Sequence, residues 1–191
     1  MTRARRPGAV RPLRNPGGTA TGTLRYASLE SPFGELLLIG DGRAVHGLCM
    51  QGGQTSRTVE PDWEQDPESL AEASTQLREY FAGKRTSFDL ELVMNGTAFQ
   101  RRVWRALQRI PYGETISYRE LALRIDQPSA RAVGLANGRN PISIVVPCHR
   151  VIGANGALTG YGGGLDRKRR LLDLEANTLD RQAQRSGDEH A

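Results

Sequence analysis

Residues 131–165 read RAVGLANGRNPISIVVPCHRVIGANGALTGYGGGL, and this stretch decides how the rest of the chain is interpreted. At its centre the apolar run Ile144-Val145-Val146 predicts a short buried strand that delivers the chain to Pro147-Cys148-His149-Arg150. A thiol is a poor nucleophile until ionised, and a nearby cation or base lowers its pKa from about 8.5 to between about 3.5 and 7.5. His149 and Arg150 supply such electropositive surroundings for Cys148. Adjacent residues of an extended chain point apart, so a water between the sulfur and the His149 ring fits better than direct contact. A free cysteine is also commonly just a small buried residue, and the pair alone leaves both readings open. The glycine-rich residues 153–164 lack the Gly-Lys-Ser/Thr ending of a nucleotide phosphate loop. They read instead as a close-fitting loop around a pocket, in which Tyr161 stacks on a planar base or anchors the loop.

Upstream, helical signals dominate. Thr97-Ala98-Phe99-Gln100 is a capping box, and Phe99, Val103, Trp104, Leu107 and Ile110 form an apolar stripe that stops at Pro111. A second capping box, Ser117 to Glu120, opens a helix with Leu121, Ala122 and Ile125, broken by Asp126-Gln127-Pro128. A third helix is predicted from Pro128 or Ser129 to Asn137, closed by Gly138. Two short helices joined by a tight turn make a helix-turn-helix candidate, although many helical hairpins bind nothing. Its second helix carries Ala130, Ala132, Gly134 and Ala136 around Arg131. Glycine inside a helix costs about 1 kcal/mol relative to alanine, so such residues serve close approach to another surface, a neighbouring helix or a ligand. Downstream, residues 166–170 lead into a helix with Leu171, Leu172 and Leu174 facing inward and Glu175 near its end, a carboxylate able to orient a histidine.

The first half reads differently. Residues 24–29, the turn Ser31-Pro32-Phe33-Gly34, residues 35–39, the hairpin signal Asp41-Gly42 and residues 44–50 predict an antiparallel sheet. Asp66 is a helix N-cap followed by Pro67, and Leu70, Ala73, Leu77 and Phe81 recur at helical spacing before Gly83. Phe88, Leu90, Leu92 and Met94 alternate as one more strand. The organisation expected is a disordered basic tail over 1–22, an α+β domain over 23–94, a mainly helical domain over 95–176 and a flexible tail over 177–191.

The net charge of +5 divides unevenly: +5 over residues 1–22, −6 over 23–96, +7 over 97–176 and −1 over the remainder. A basic unit joined to an acidic one attracts polyanions or simply carries a solvated charged face. No apolar run reaches the ~18 residues that a membrane span requires, and the Arg-rich start has no apolar core of a secretory signal, so a cytoplasmic protein is expected. Cys49 and Cys148 are too few and too far apart for a disulfide framework. Only His46 and Cys49 lie close enough to suggest metal ligands, and no second pair completes a site, so no metal is expected.

With residues 131–141, Ile144 to Gly153, Gly160-Tyr161-Gly162-Gly163-Gly164-Leu165, Lys168, Leu171, Leu172 and Glu175 in view, the chain closely resembles the O6-alkylguanine-DNA alkyltransferases. Residues 99–121 resemble them as well, so the likeness spans about 80 residues of the C-terminal half, and the N-terminal half fits the family's small ribonuclease-H-like α+β domain in outline. The resemblance implies direct-reversal DNA repair without a cofactor: an alkyl group passes from O6 of guanine, with O4 of thymine as a second candidate, to Cys148 in one irreversible event. It implies activation of Cys148 through water by His149, polarisation of His149 by Glu175, and Asn140 tying the recognition helix to the active-site loop. It makes Arg131 the finger that replaces the extruded base, Tyr118 the residue crowding the target phosphate, and Ala130, Ala132, Gly134, Ala136 and Arg150 further DNA contacts in the minor groove. Tyr161, Val151, Gly162 and Ser143 would line the base pocket. The implied partner is duplex DNA carrying O6-alkylguanine, with no obligatory protein partner and with cooperative self-association on DNA an option. Ser143 stands where some relatives have proline and Gly162 where some have serine, and the zinc cluster of some members is missing. A lesion-binding protein that flags alkylated bases would need no thiol. A cysteine hydrolase would need a base touching sulfur directly, and an alkylation-sensing regulator would need a further domain.

Overall fold

A computed structural model describes residues 23–188; the basic segment 1–22 and residues 189–191 lie outside the described residues. Strands β1 (Arg25–Leu29), β2 (Leu36–Gly40) and β3 (Val45–Met50) form an antiparallel meander. The first turn closes through the Gly34 amide on the Ser31 carbonyl. In the second, the Asp41 carboxylate accepts from the amides of Arg43 and Ala44 at 2.9 and 2.8 Å, while Gly42 takes a φ of 85°. A two-residue strand β4 (Glu64–Gln65), which no run of apolar residues announces, pairs parallel to β1 and gives the order β3-β2-β1-β4. The sheet is buried on both faces. Leu36, Leu38, Leu48 and Met50 enter the main core, whereas Leu37, Ile39 and Cys49 pack under Trp63 and Val59. This explains why β2 is continuously apolar rather than alternating.

Two predicted N-terminal features differ. Asp66 accepts from the amide of Ser69 in a preceding turn, and helix α1 (Ala71–Phe81) begins only after it, with Leu70 at its N-cap position and Gly83 following at a φ of 68°. Residues 88–94 form no strand; Leu92 makes a single parallel bridge to Val45. The buried side chain of Gln76 takes both backbone groups of Asp89, at 2.9 and 3.1 Å, so that part of the segment has no ladder bonds to offer.

Helix α2 (Ala98–Leu107) carries the full Thr97–Gln100 capping box. Its Trp104 is buried, and the indole N–H donates to the Ala136 carbonyl at 2.8 Å. Gly96 admits no side chain, because a Cβ there would stand 2.4 Å from the Trp104 ring. After strand β5 (Ile116–Ser117) comes α3 (Tyr118–Arg124). Only half of the second capping box forms: the Ser117 hydroxyl accepts from the Glu120 amide, while the Glu120 carboxylate pairs with Arg124. Asp126, at a φ of 49°, helps turn the chain into α4 (Ala130–Gly138), capped by Ser129 and ending one residue later than expected, on Gly138 itself.

The run 144–146 is a turn rather than a strand, with Ile144 buried at a φ of 71°, a region a β-branched residue rarely enters. Just ahead of it the chain docks on β3 through the Leu48 amide on the Pro141 carbonyl and the Ser143 amide on the Leu48 carbonyl. A single 3-10 turn, Cys148–Arg150, then leads into β6 (Val151–Ile152), which pairs parallel with β5.

Helix α5 (Leu165–Asp188) runs far past residue 176, in place of the expected flexible tail, and Glu175 sits in its middle rather than near its end. Its most buried positions are Lys168, Leu171, Glu175 and Thr178, whereas Leu172 and Leu174 are only half-buried. Beyond 176 it packs on two turns: a Cβ at Gly83 would meet the Thr178 hydroxyl at 2.8 Å, and one at Gly113 would meet Leu179 at 2.4 Å. A chain ending at Ala176 loses these contacts. Urea unfolding should find it less stable by about 1–3 kcal/mol; an unchanged midpoint would mean that residues 177–188 add nothing to the fold.

Candidate active site

The 3-10 turn presents Cys148, His149 and Arg150, all buried, at the meeting point of α1, α2, α4 and α5. Two asparagines at the end of α4 hold it. Asn140 donates to the Val146 carbonyl at 2.7 Å and accepts from the Ile142 amide at 3.0 Å, so it fastens the chain just after the helix to the loop before the thiol. Asn137, which the sequence reading passed over as the end of a helix, donates to the Cys148 carbonyl at 3.4 Å and is 1% exposed.

Behind His149 lies the carboxylate of Glu175. Its Oε1 accepts from His149 Nε2 at 2.9 Å, from the Tyr80 hydroxyl at 2.7 Å and from Arg150 Nη2 at 2.8 Å. Its Oε2 accepts from Arg150 Nε and the Gly113 amide, both at 2.9 Å. Burial pushes this carboxyl up, but the His149 ring and the Arg150 guanidinium outweigh it and hold Glu175 well below the usual carboxylate range. An ionised carboxylate only accepts, so Nε2 of His149 carries the proton. Burial, only partly opposed by Glu175, holds His149 below its ordinary pKa, and the ring is neutral. Its other nitrogen, Nδ1, is therefore a basic lone pair, buried and without a partner among the described residues. The site holds a base with an acceptor atom to spare.

The thiol itself departs from expectation. Burial pushes Cys148 above its ordinary pKa, and Asn140, Lys168 and nearby amides only partly offset this, so at rest it is a neutral thiol and not a preformed thiolate. The cation near it is not the adjacent Arg150 but Lys168, fully buried on α5. Lys168 donates to the carbonyls of Val151 and Thr159 at 2.6 and 2.7 Å, and burial pulls its pKa down to about 8. No apolar pattern singles out this residue; only its place in the family resemblance does.

The remaining expected site residues fall into two groups. Tyr161 is buried in the same core cluster as Cys148, with Val151 also buried and Gly162 beside it. Ser143 is buried where the approach segment meets β3. Tyr118 opens α3, and its hydroxyl donates to the carbonyls of Thr159 and Gly160, which bridges the helix-turn-helix to the glycine loop. Arg131 stands exposed on α4, with no acidic partner among the described residues. Ala132 and Gly134 are half-buried, and a Cβ on Gly134 would stand 3.6 Å from the Tyr118 ring. Three of the expected DNA contacts are displaced. Ala136 is buried against α2 beneath the Trp104 indole, so its small size serves helix packing, and Ala130 also leans on the core. Arg150 is turned inward onto Glu175 and the Ile110 carbonyl, because a buried carboxylate demands a cation. Elsewhere, Cys49 lies under the sheet with its pKa raised by burial, and the His46 ring pairs with Asp41. Among the described residues no group of three or more His, Cys, Asp or Glu side chains could hold a metal, and no helix is long and apolar enough to cross a membrane.

With that geometry in hand, the comparisons decide the family. The family model described as "6-O-methylguanine DNA methyltransferase, DNA binding domain" matches residues 98–177, and the model of the same family's ribonuclease-like domain matches residues 24–94. The chain belongs to the 6-O-methylguanine DNA methyltransferase family. It is 57% identical over 156 residues to a methylated-DNA–protein-cysteine methyltransferase of Mycolicibacterium paratuberculosis, covering 80% of this chain and 92% of that protein. It is 55% identical over 156 residues to the Mycobacterium bovis protein of the same name, with the same coverage. The crystal structure of Mycobacterium tuberculosis OGT in complex with DNA superposes with a TM-score of 0.76 at 56% identity, covering 81% of this chain and 94% of that one. Membership makes the chain a DNA-repair enzyme, a methylated-DNA–protein-cysteine methyltransferase, and establishes the α+β architecture with its helical C-terminal domain.

Because Arg150 neutralises Glu175, Arg150→Met should lower the stability of the fold by about 3–5 kcal/mol, as removal of one partner of a buried ion pair does. Chemical denaturation measures this. A variant with wild-type stability but weakened affinity for duplex DNA would return Arg150 to the binding surface.

Proposed function

We propose that the protein repairs O6-alkylguanine in duplex DNA by moving the alkyl group irreversibly to Cys148, once per molecule and with no cofactor. The observation that carries this reading is the His149–Glu175 pair beside a buried thiol, with His149 Nδ1 left as a basic, unpartnered atom.

The thiol loses its proton to Nδ1 of His149 through a bridging water, and Glu175 stabilises the imidazolium that forms. Lys168 supplies the positive charge that favours the thiolate. The sulfur lone pair attacks the alkyl carbon, the carbon–O6 bond breaks, and its electron pair stays on the base. The proton given up by the thiol returns to the base, which leaves as ordinary guanine. A thioether has no easy reverse path, so the protein is consumed.

A stacked base cannot reach a buried sulfur, so the damaged nucleotide must leave the helix at a cost of a few kcal/mol. Arg131, exposed on α4 and free of acidic partners among the described residues, fits the role of filling the vacated stack from the minor groove, and the +7 charge of residues 97–176 favours the phosphates. Tyr118 bounds the entrance near the target phosphate, and Tyr161, Val151, Gly162 and Ser143 form the pocket around the everted base. No obligatory protein partner is part of the mechanism.

Mass spectrometry after incubation with a duplex containing O6-methylguanine should find one methyl group per protein, on the peptide with Cys148, and restored guanine in the DNA. A parallel duplex with O4-methylthymine tests the second lesion. Repeated turnover, or tight binding with no change in protein mass, would refute the reading. Arg131→Ala should slow transfer from duplex at least tenfold more than transfer from free O6-methylguanine, a difference of about 1.4 kcal/mol in barrier. Equal losses on both substrates would remove Arg131 from the flipping step.

A further inference from the structure

Three glycines meet where the N-terminal domain touches the glycine loop, and none of them takes a left-handed φ. Gly53, Gly162 and Gly163 are therefore demanded by space rather than by backbone conformation. A Cβ on Gly53 would stand 2.8 Å from the Gly162 carbonyl oxygen and 3.2 Å from Gly163 Cα. A Cβ on Gly163 would meet Met50 Sδ at 2.8 Å, and the same sulfur lies 4.0 Å from the Tyr161 hydroxyl. At Gly162 the collision is with one side chain: Thr55 places its Cγ2, Oγ1 and Cβ at 2.2, 2.9 and 3.1 Å from where a Cβ would be. Hydrogen bonds hold the two segments in register. The Gln54 amide donates to the Gly162 carbonyl at 2.9 Å, and Arg167 on α5 donates to the Gln51 carbonyl at 2.9 Å while reaching back to Gly163.

From this we infer that residues 51–56 latch the pocket wall formed by residues 160–164, and that Thr55 is a specificity-determining residue that sets how far the wall yields to a bulky alkyl group. The inference rests on the reading of Cys148 as alkyl acceptor and assigns the N-terminal domain a part in that reaction. Tyr161 shares the core cluster of Cys148 and is one residue from the Thr55 contact. A group larger than methyl that presses on Tyr161 must drive the 160–164 backbone against Thr55. Two backbones in glycine-to-glycine contact have no flexible side chain between them to give way. A shorter residue at 55 supplies the slack.

The test measures second-order rate constants for methyl and benzyl transfer from duplex DNA to wild type, Thr55→Gly, Thr55→Ser, Gly162→Ala and the double variant Thr55→Gly/Gly162→Ala, with melting temperatures alongside. Gly162→Ala should slow methyl transfer about tenfold, equivalent to about 1.4 kcal/mol, and Thr55→Gly in the same chain should restore most of it. Thr55→Gly alone should raise the benzyl-to-methyl rate ratio at least threefold, with Thr55→Ser between it and wild type. Lower melting temperatures with an unchanged ratio would reduce Thr55 to ordinary packing and overturn the inference. So would a Gly162→Ala variant that reacts at the wild-type rate or that Thr55→Gly fails to rescue. Should Gly162→Ala not fold, the ratio measured for the Thr55 variants decides alone. Wild type that accepts neither group overturns the underlying reading and the latch together, whereas wild type that takes methyl with a fixed ratio across the Thr55 variants overturns the latch only.

Discussion

A carboxylate with no exposure to water organises this molecule. Burying an ion costs several kcal/mol unless its lone pairs are met, and Glu175 is met from four directions. Tyr80 comes from the N-terminal domain, Gly113 from the turn after α2, and His149 and Arg150 from the turn that bears the thiol. The same negative charge that binds these segments together also fixes which nitrogen of His149 carries its proton. Structure and chemistry share one atom pair here. The element that holds the two domains against each other is the element that readies the base.

The electrostatics of the thiol follow from that arrangement. Glu175 is neutralised by Arg150, so the negative charge does not oppose ionisation of sulfur as an unpaired carboxylate would. Lys168 contributes the opposite sign nearby, at the expense of its own protonation, since burial brings its pKa down to about 8. Burial dominates both groups. With the thiol and His149 neutral and Glu175 matched by Arg150, the charge of Lys168 leaves the resting site net positive.

Much of this was legible in the chain. The capping box at Thr97 and the turn at Asp41-Gly42 are short-range signals whose chemistry lies within four residues, and each forms where the sequence places it. The pairing of Glu175 with His149 was legible only through family resemblance, because 26 residues separate them. What could not be read is instructive. Periodicity finds apolar faces, and the innermost stripe of α5 is Lys168, Leu171, Glu175 and Thr178, three polar residues of four. Arg150 beside Cys148 looked like a cation for the sulfur or for phosphate, and only the fold shows that a carboxylate claims it. Ile144-Val145-Val146 has the composition of a strand, but the chain must double back there to bring Asn140 onto Val146, and it does so through an unfavourable φ at Ile144. The strand expected over 88–94 shrinks to a single bridge with Val45, because Gln76, a competitor distant in sequence, takes both backbone groups of Asp89.

Lys168 and Glu175 are seven residues apart on one unbroken helix, about two turns or 10.5 Å of axial rise. That spacing works as a ruler laid behind the reactive turn, with one end near sulfur and the other behind the imidazole. Inserting or deleting a single residue between them would rotate one end by about 100° relative to the other. No side-chain rearrangement could restore both ends at once. The interval 168–175 should therefore tolerate exchange of its outward residues freely while forbidding any change of length, whereas the exposed loop tip at 154–157 is under no such metric.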